Sequence, residues 1–233
     1  MNVMETSPII AFFDVDETLI RTKSMFSFLR FLGQHGLAKD TEETIDRLYK
    51  LSAHGVDRSE INRLYWMSYR GLDAEDVKSA ARQWLDEACG ADREFLITVT
   101  VKRLRAHQQS GHRIALVSGS GIDILQPLTS LIGADYTLAT RLKELNGRYT
   151  GEIVLPVMIG EGKAQAASTL AAQVKAELRN CFAYGDHISD LPLLNLVGHP
   201  VAVGEEGALG DHARGLGWPV LSTSEFSTAG AAA

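Results

Sequence analysis

The stretch Ile9-Ile10-Ala11-Phe12-Phe13-Asp14-Val15-Asp16-Glu17-Thr18-Leu19 runs five apolar residues straight into three acids within four positions. An apolar run of this length, without polar alternation, predicts a short strand buried on both faces. The acids then fall at its end, where their charge has to meet water or a compensating cation. Similar runs recur at Ile114–Val117, Cys181–Tyr184 and Pro200–Val203, each followed by Gly, Asp or Ser. Helical patterns lie between them. Strands alternating with helices predict an α/β fold with a Rossmann-like parallel sheet, its active groups gathered at the C-terminal ends of the strands.

The alternation breaks between about 24 and 90, where four helical patterns follow one another without a strand. Met25, Phe28, Leu29 and Leu32 share one face before Gly36. Ile45, Leu48 and Leu51 do the same after Asp40, with Glu43 at capping-box spacing. A weaker stripe holds Ile61, Leu64, Tyr65 and Ser68, and a fourth runs from Val77 to Ala88, with Asp73 as its expected N-cap and Gly90 as its stop. These patterns predict a small helical-bundle cap domain, 23–90, inserted into an α/β core formed by 1–22 and 91–222. Asn146-Gly147 between strand-like flanks predicts a tight hairpin flap within 141–154. The small, polar residues of the tail, 223–233, predict fraying.

With 233 residues, 45% of them hydrophobic, the chain can bury one substantial core. Its 29 acids outnumber 23 Lys and Arg, and no basic run stands out, which argues against nucleic acid or an anionic membrane surface as a partner. No apolar stretch approaches the roughly 20 residues of a membrane span, and no signal-peptide pattern opens the chain, so a cytoplasmic location is the expectation. Cys89 and Cys181 are too few and too far apart to suggest a metal site or a disulfide framework. The sequence sets no oligomeric state.

Asp14 and Asp16, two residues apart at a strand end, repel one another, and a divalent cation is an economical counter-charge. Magnesium takes hard oxygen ligands and commonly sits beside phosphate, which would let Asp14 serve as ligand and nucleophile. Ser118-Gly119-Ser120, at the next strand's end, offers a hydroxyl and loosened amides for an anion. Lys163 opens a helical run, and Asp186 and Asp190 follow another strand. Each feature alone also fits an ordinary turn, a helix cap or a solvated surface.

Together they resemble the haloacid dehalogenase superfamily, whose ordered motifs are D-x-D-x-T, a strand-end Ser or Thr, a Lys and an acidic G-D-x-x-x-D. Here these are Asp14 through Thr18, Ser118, Lys163, and Gly185-Asp186 through Asp190, and the likeness spans about residues 8–221. The helical insertion after the first motif, with Ala139-Thr140-Arg141-Leu142 and Thr150-Gly151-Glu152 around the hairpin, looks like the phosphoserine-phosphatase-like branch. The resemblance implies a magnesium-dependent phosphatase that hydrolyses a small phosphomonoester through an aspartyl-phosphate. Asp14 would be the nucleophile and Asp16 the general acid and base. Asp16, Ser118, Gly119 and Lys163 would hold the phosphoryl group, and Asp190 would position Lys163 or a water. Magnesium would take Asp14, the Asp16 backbone carbonyl and Asp186. A phosphotransferase would use the same motifs.

Phosphoserine phosphatases usually carry a Glu seven residues after the second Asp, facing the substrate ammonium. Lys23 occupies that position here. The reversed charge predicts a substrate other than phosphoserine, anionic or hydroxyl-rich, selected by Lys23 with Arg63 or Arg70. A phosphoserine phosphatase proper is the alternative. Glu17 has no assigned role, and His187 reads as a loop residue.

Overall fold

The computed structural model describes residues 7–92 and 94–223, so the expected tail beyond Thr223 lies outside the described residues. β1 (Ile10–Phe13) is followed by four helices, α1 (Ser24–Gln34), α2 (Thr41–Ala53), α3 (Arg58–Met67) and α4 (Ala74–Ala91). Then come α5 (Thr98–Gln109), β2 (Arg113–Gly121), α6 (Ile122–Ile132), β3 (Tyr136–Leu145) and β4 (Arg148–Val154). The chain continues through α7 (Glu161–Val174), β5 (Phe182–Gly185), the single turn α8 (Leu191–Leu194), β6 (His199–Val203), α9 (Gly207–Leu216) and β7 (Val220–Leu221).

One seven-stranded sheet runs in the order β4-β3-β2-β1-β5-β6-β7, parallel except for the β3–β4 hairpin. β1 lies at its centre, between β2 and β5, and all four of its residues are fully buried. Side chains alternate across the pleat: Ala11 and Phe13 join the apolar cluster shared with α1–α4 and α6, whereas Ile10 and Phe12 join the one under α7 and α8. The chain leaves β1 to one side through β2 and returns on the other as β5, and such a topological switch opens a crevice beyond the strand ends. Phe13 pairs with Leu116 and with Tyr184, so the next residues of all three strands reach the same edge.

The insertion follows from its apolar faces. Phe28, Leu29 and Leu32 of α1, Ile45 and Leu48 of α2, Tyr65 and Trp66 of α3, and Trp84 and Leu85 of α4 are buried in a cluster continuous with Phe13 and Leu19. Two expected boundaries differ. Asp40 has φ 52°, outside the extended range that a capping side chain needs, and accepts no capping bond. α4 is capped by Asp73 as expected, but runs through Gly90 to Ala91.

Asn146 and Gly147, with φ of 51° and 74°, form the two-residue turn that matches strand twist in a hairpin. The outer edge of β4 is not left open: Gly71 N donates to Tyr149 O at 2.8 Å, Tyr149 N to Leu72 O at 3.0 Å and Ala74 N to Gly147 O at 2.9 Å. Arg70 adds a bond from Nε to Thr150 O at 3.1 Å. The turn between α3 and α4 therefore covers the edge strand. Among the described residues, no helix is long and apolar enough to cross a membrane.

A histidine pair lies beside the base of the sheet. His107 Nδ1 sits 2.8 Å from His112 Nδ1, and His107 Nε2 2.8 Å from the Tyr184 hydroxyl. Burial, then the neighbouring charges of His112 and Arg103, lower the His107 pKa to about 4. An unfolded histidine titrates near 6.5, so between roughly pH 6.5 and 4 the unfolded chain binds a proton that the folded one refuses. Stability from this residue is therefore lost as pH falls through that window. We expect the urea midpoint of the native protein to drop more steeply than that of His107→Gln between pH 7 and 4.5, by up to about 3 kcal/mol in unfolding free energy.

Candidate active site

At the C-terminal edge of the sheet, Asp14 leaves β1 with its backbone N–H bonded to Tyr184 O of β5 at 2.9 Å. Lys163, in the first turn of α7, places Nζ 2.6 Å from Asp14 Oδ1 and 2.7 Å from Asp190 Oδ1. All three side chains are buried, Lys163 to 4% exposure and Asp190 to 1%. Glycines permit this approach. A Cβ on Gly185 would come within 2.8 Å of the Asp190 side chain, and one on Gly162 would collide with Val157 O. Asp186 lies just past β5, and its Oδ1 accepts from Thr18 Oγ1 at 3.0 Å.

The electrostatics follow from gathering two buried acids and one half-buried acid around one cation. Burial alone would lower the Lys163 pKa, but Asp14 and Asp190 together outweigh it and hold the ammonium protonated. Burial raises Asp14, opposed by Lys163 and reinforced by Asp190. Asp186 is pushed up to about 8, by burial first and then by the charges of Asp14 and Asp190. Carboxylate oxygens of Asp14, Asp186 and Asp190 all lie within 4.8 Å of one another. This excess of buried negative charge on hard oxygen donors fits a divalent cation such as magnesium. The Asp16 carboxylate stands apart from that group. Its Oδ1 accepts from Ser24 N at 3.1 Å, and burial, opposed by Ser24 and reinforced by Asp14, raises its pKa to about 7. A carboxyl held near that value can carry a proton at neutral pH and give it up.

A cavity of about 260 Å³ opens over these groups. Asp14, Asp16, Lys163, Asp186 and Asp190 line its floor with Ser118 and Gly119 of β2. Its walls are Met25 and Phe26 of α1, Leu48 and Tyr49 of α2, and Ile61 and Asn62 of α3, and Glu17, Lys23, Arg58 and His187 are polar members of its lining. The expected motif residues thus meet in one place. Lys23 lines the cavity too, with Nζ 3.5 Å from Glu17 Oε2. Arg63 and Arg70 do not line it: Arg63 pairs with Glu60 at 3.6 Å, and Arg70 binds the hairpin. The cation that α3 brings to the lining is Arg58, which has no ion-pair partner among the described residues. Arg58, Asn62 and Ser24 were not singled out from sequence. The signal for Asn62 was a polar residue on an apolar stripe, four before Trp66.

Residues 11–195 match the haloacid dehalogenase-like hydrolases. A probable phosphatase of Mycobacterium tuberculosis is 33% identical over 221 residues, covering 92% of this chain and 75% of its own. A histidinol-phosphatase of Neisseria meningitidis serogroup C is 28% identical over 227 residues, covering 91% and 98%. Among solved structures, a phosphoserine phosphatase with a phospho-aspartyl intermediate analogue shares the fold, with a TM-score of 0.66 at 18% identity over 94% of this chain and 95% of that one.

Removing one partner from a buried ion pair strands the other charge and typically costs about 3–5 kcal/mol. We expect Lys163→Met to lower unfolding free energy by that amount in chelator at pH 7.5, read from urea midpoints. Arg63→Met, at an exposed pair, should stay within about 0.5 kcal/mol of native.

Proposed function

The chain belongs to the haloacid dehalogenase-like hydrolases, and on that premise we propose that it is a magnesium-dependent phosphatase that cleaves a small phosphomonoester through a phosphorylated Asp14. The observation that carries the reading is the buried ammonium of Lys163, bonded at once to Asp14 and Asp190 beside the Asp16 carboxyl. Such an arrangement suits a phosphoryl group, whose transfer depends on positioning and on neutralising spread charge.

Asp14 attacks phosphorus from the side opposite the leaving oxygen, and the phosphorus–oxygen ester bond breaks as the aspartyl-phosphate forms. Asp16 gives its proton to the leaving oxygen. A water then attacks the phosphorus of the aspartyl-phosphate, losing a proton to Asp16, and phosphate departs as the Asp14 carboxylate is restored. Acid–base help of this kind is typically worth about 10²–10⁴-fold. The Ser118 hydroxyl and Gly119 amide hold phosphoryl oxygens, and Lys163 offsets their charge while Asp190 fixes its position. Asp14, Asp186 and the Asp16 backbone carbonyl would hold magnesium, which when bound supplies Lewis-acid neutralisation of the phosphoryl oxygens.

Residues 23–90 act in this reading as a cap over a core made of 1–22 and 91–222. At about 260 Å³ the cavity falls just below the range of about 300–1,000 Å³ common for ligand pockets, which supports a small substrate. Lys23 and Arg58 favour a second anionic or hydroxyl-rich end over the ammonium of phosphoserine.

The test is phosphate release from a panel that includes phosphoserine, histidinol phosphate, sugar phosphates and phosphorylated carboxylic acids, with magnesium and with chelator. We expect magnesium-dependent turnover that falls more than about 10³-fold in Asp14→Asn. We expect Lys23→Glu to move the preference between acidic and amino-bearing substrates by about 10-fold or more. Turnover that survives in Asp14→Asn would remove the nucleophile assignment, and an unchanged profile in Lys23→Glu would remove the role given to Lys23.

A further inference from the structure

The peptide between Gly119 and Ser120 is held from three directions. Gly119 O accepts from Asn62 Nδ2 at 2.9 Å and from Thr140 Oγ1 at 2.8 Å, and Ser120 N donates to Ser118 Oγ at 3.1 Å. A hydroxyl has one proton and two lone pairs. With a lone pair of Ser118 Oγ occupied by the Ser120 N–H, its own proton is left to point at an acceptor in the cavity. Turning the peptide would withdraw that N–H and release the hydroxyl.

The two donors on Gly119 O come from different parts of the chain. Thr140 belongs to β3, within the sheet, whereas Asn62 belongs to α3, in the inserted helices. Asn62 is 3% exposed, and its amide is oriented by Trp66 Nε1, which donates to Asn62 Oδ1 at 3.1 Å. The absence of a side chain at 119 leaves room for this contact: a Cβ there would come within 2.7 Å of Ile159 Cδ1, at the end of a side chain that can shift, and within 3.3 Å of Asn62 Nδ2, which would have to give by a few tenths of an ångström. A second link runs beside it: Ser24 Oγ, at the start of α1, donates to Ser120 Oγ at 2.9 Å.

We propose that Asn62 is a positioning residue: its bond to Gly119 O fixes the Gly119–Ser120 peptide, and through it the Ser118 hydroxyl, so that the grip on phosphate is complete only when α3 is seated on the end of β2. This inference rests on the phosphatase reading for the role of Ser118. The juxtaposition itself rests on the contacts above.

The test is a double-mutant cycle with a readout that needs no turnover. Asn62→Ala should lower kcat/KM on the best panel substrate by about 10–100-fold, the usual range for residues that orient a functional group. In a Ser118→Ala background the same change should cost less than about 3-fold, because its route of action is gone. Asn62→Leu, which keeps the volume but has no polar hydrogen to give Gly119 O, should behave as Asn62→Ala does and serves if the alanine variant fails to fold. Hydrogen exchange at the Ser120 amide should be faster in both Asn62 variants. A loss in the double variant that equals the product of the single losses, or an unchanged Ser120 amide, would overturn the proposal. Exchange at that amide reports on Asn62 even if the native protein releases no phosphate, an outcome that would instead remove the phosphatase reading.

Discussion

The balance of charge around Lys163 sets the terms for the rest of the fold. Three carboxylates, the buried Asp14 and Asp190 and the half-buried Asp186, converge at the floor of the cavity, and one ammonium answers two of them directly. Such a group is costly to desolvate, so it persists only where the backbone leaves it little freedom. The sheet supplies that constraint. β1 is pinned between two parallel neighbours, β5 brings Asp186 to the same edge, and the close approach of Gly162 to Val157 O sets the turn that starts α7 and carries Lys163 inward. In the proposed function, the negative charge that Lys163 leaves over is what would make the site receptive to a cation and, with it, to a phosphoryl group.

The inserted helices line this site and tie themselves to the sheet at two points on the same side of β1. The turn between α3 and α4 pairs with the outer edge of β4, and Asn62 reaches the strand end that bears Ser118. Ser24 joins two functional groups from a single position, binding Asp16 through its backbone N–H and Ser120 through its hydroxyl. In the proposed reading, seating of α3 and alignment of the Ser118 hydroxyl are coupled through these hydrogen bonds, without a contact at the substrate itself.

Much of this was legible in the sequence, where chemistry restricts the choice of residue. Acids at the ends of apolar runs marked Asp14, Asp16, Asp186 and Asp190, and Asn146-Gly147 marked the hairpin because few residues tolerate positive φ at both turn positions. Helix phase was harder to read. Along α3, Arg58, Ile61 and Asn62 share the face over the cavity at spacings of three and four, whereas Arg63 sits one residue further round and Arg70 lies beyond the helix end. The weak stripe of Ile61, Leu64, Tyr65 and Ser68 does not fix the helix phase tightly enough to say which arginine faces inward. The Asp40 cap failed for a different reason: residue type and spacing suited a capping box, but the backbone entered the left-handed region. Gly90 did not stop α4, since glycine in an exposed last turn costs only about 1 kcal/mol, which packing of the helix can offset.

The claim most open to direct test is that Asp14 becomes covalently phosphorylated. Rapid acid quenching during turnover, reduction with borohydride and peptide mass spectrometry would convert a phosphorylated aspartate into homoserine while leaving free carboxylates intact. Homoserine at position 14, dependent on substrate and magnesium and absent when either is omitted, is the expected result. Steady turnover with no reduction at Asp14, or reduction at another carboxylate, would contradict the account.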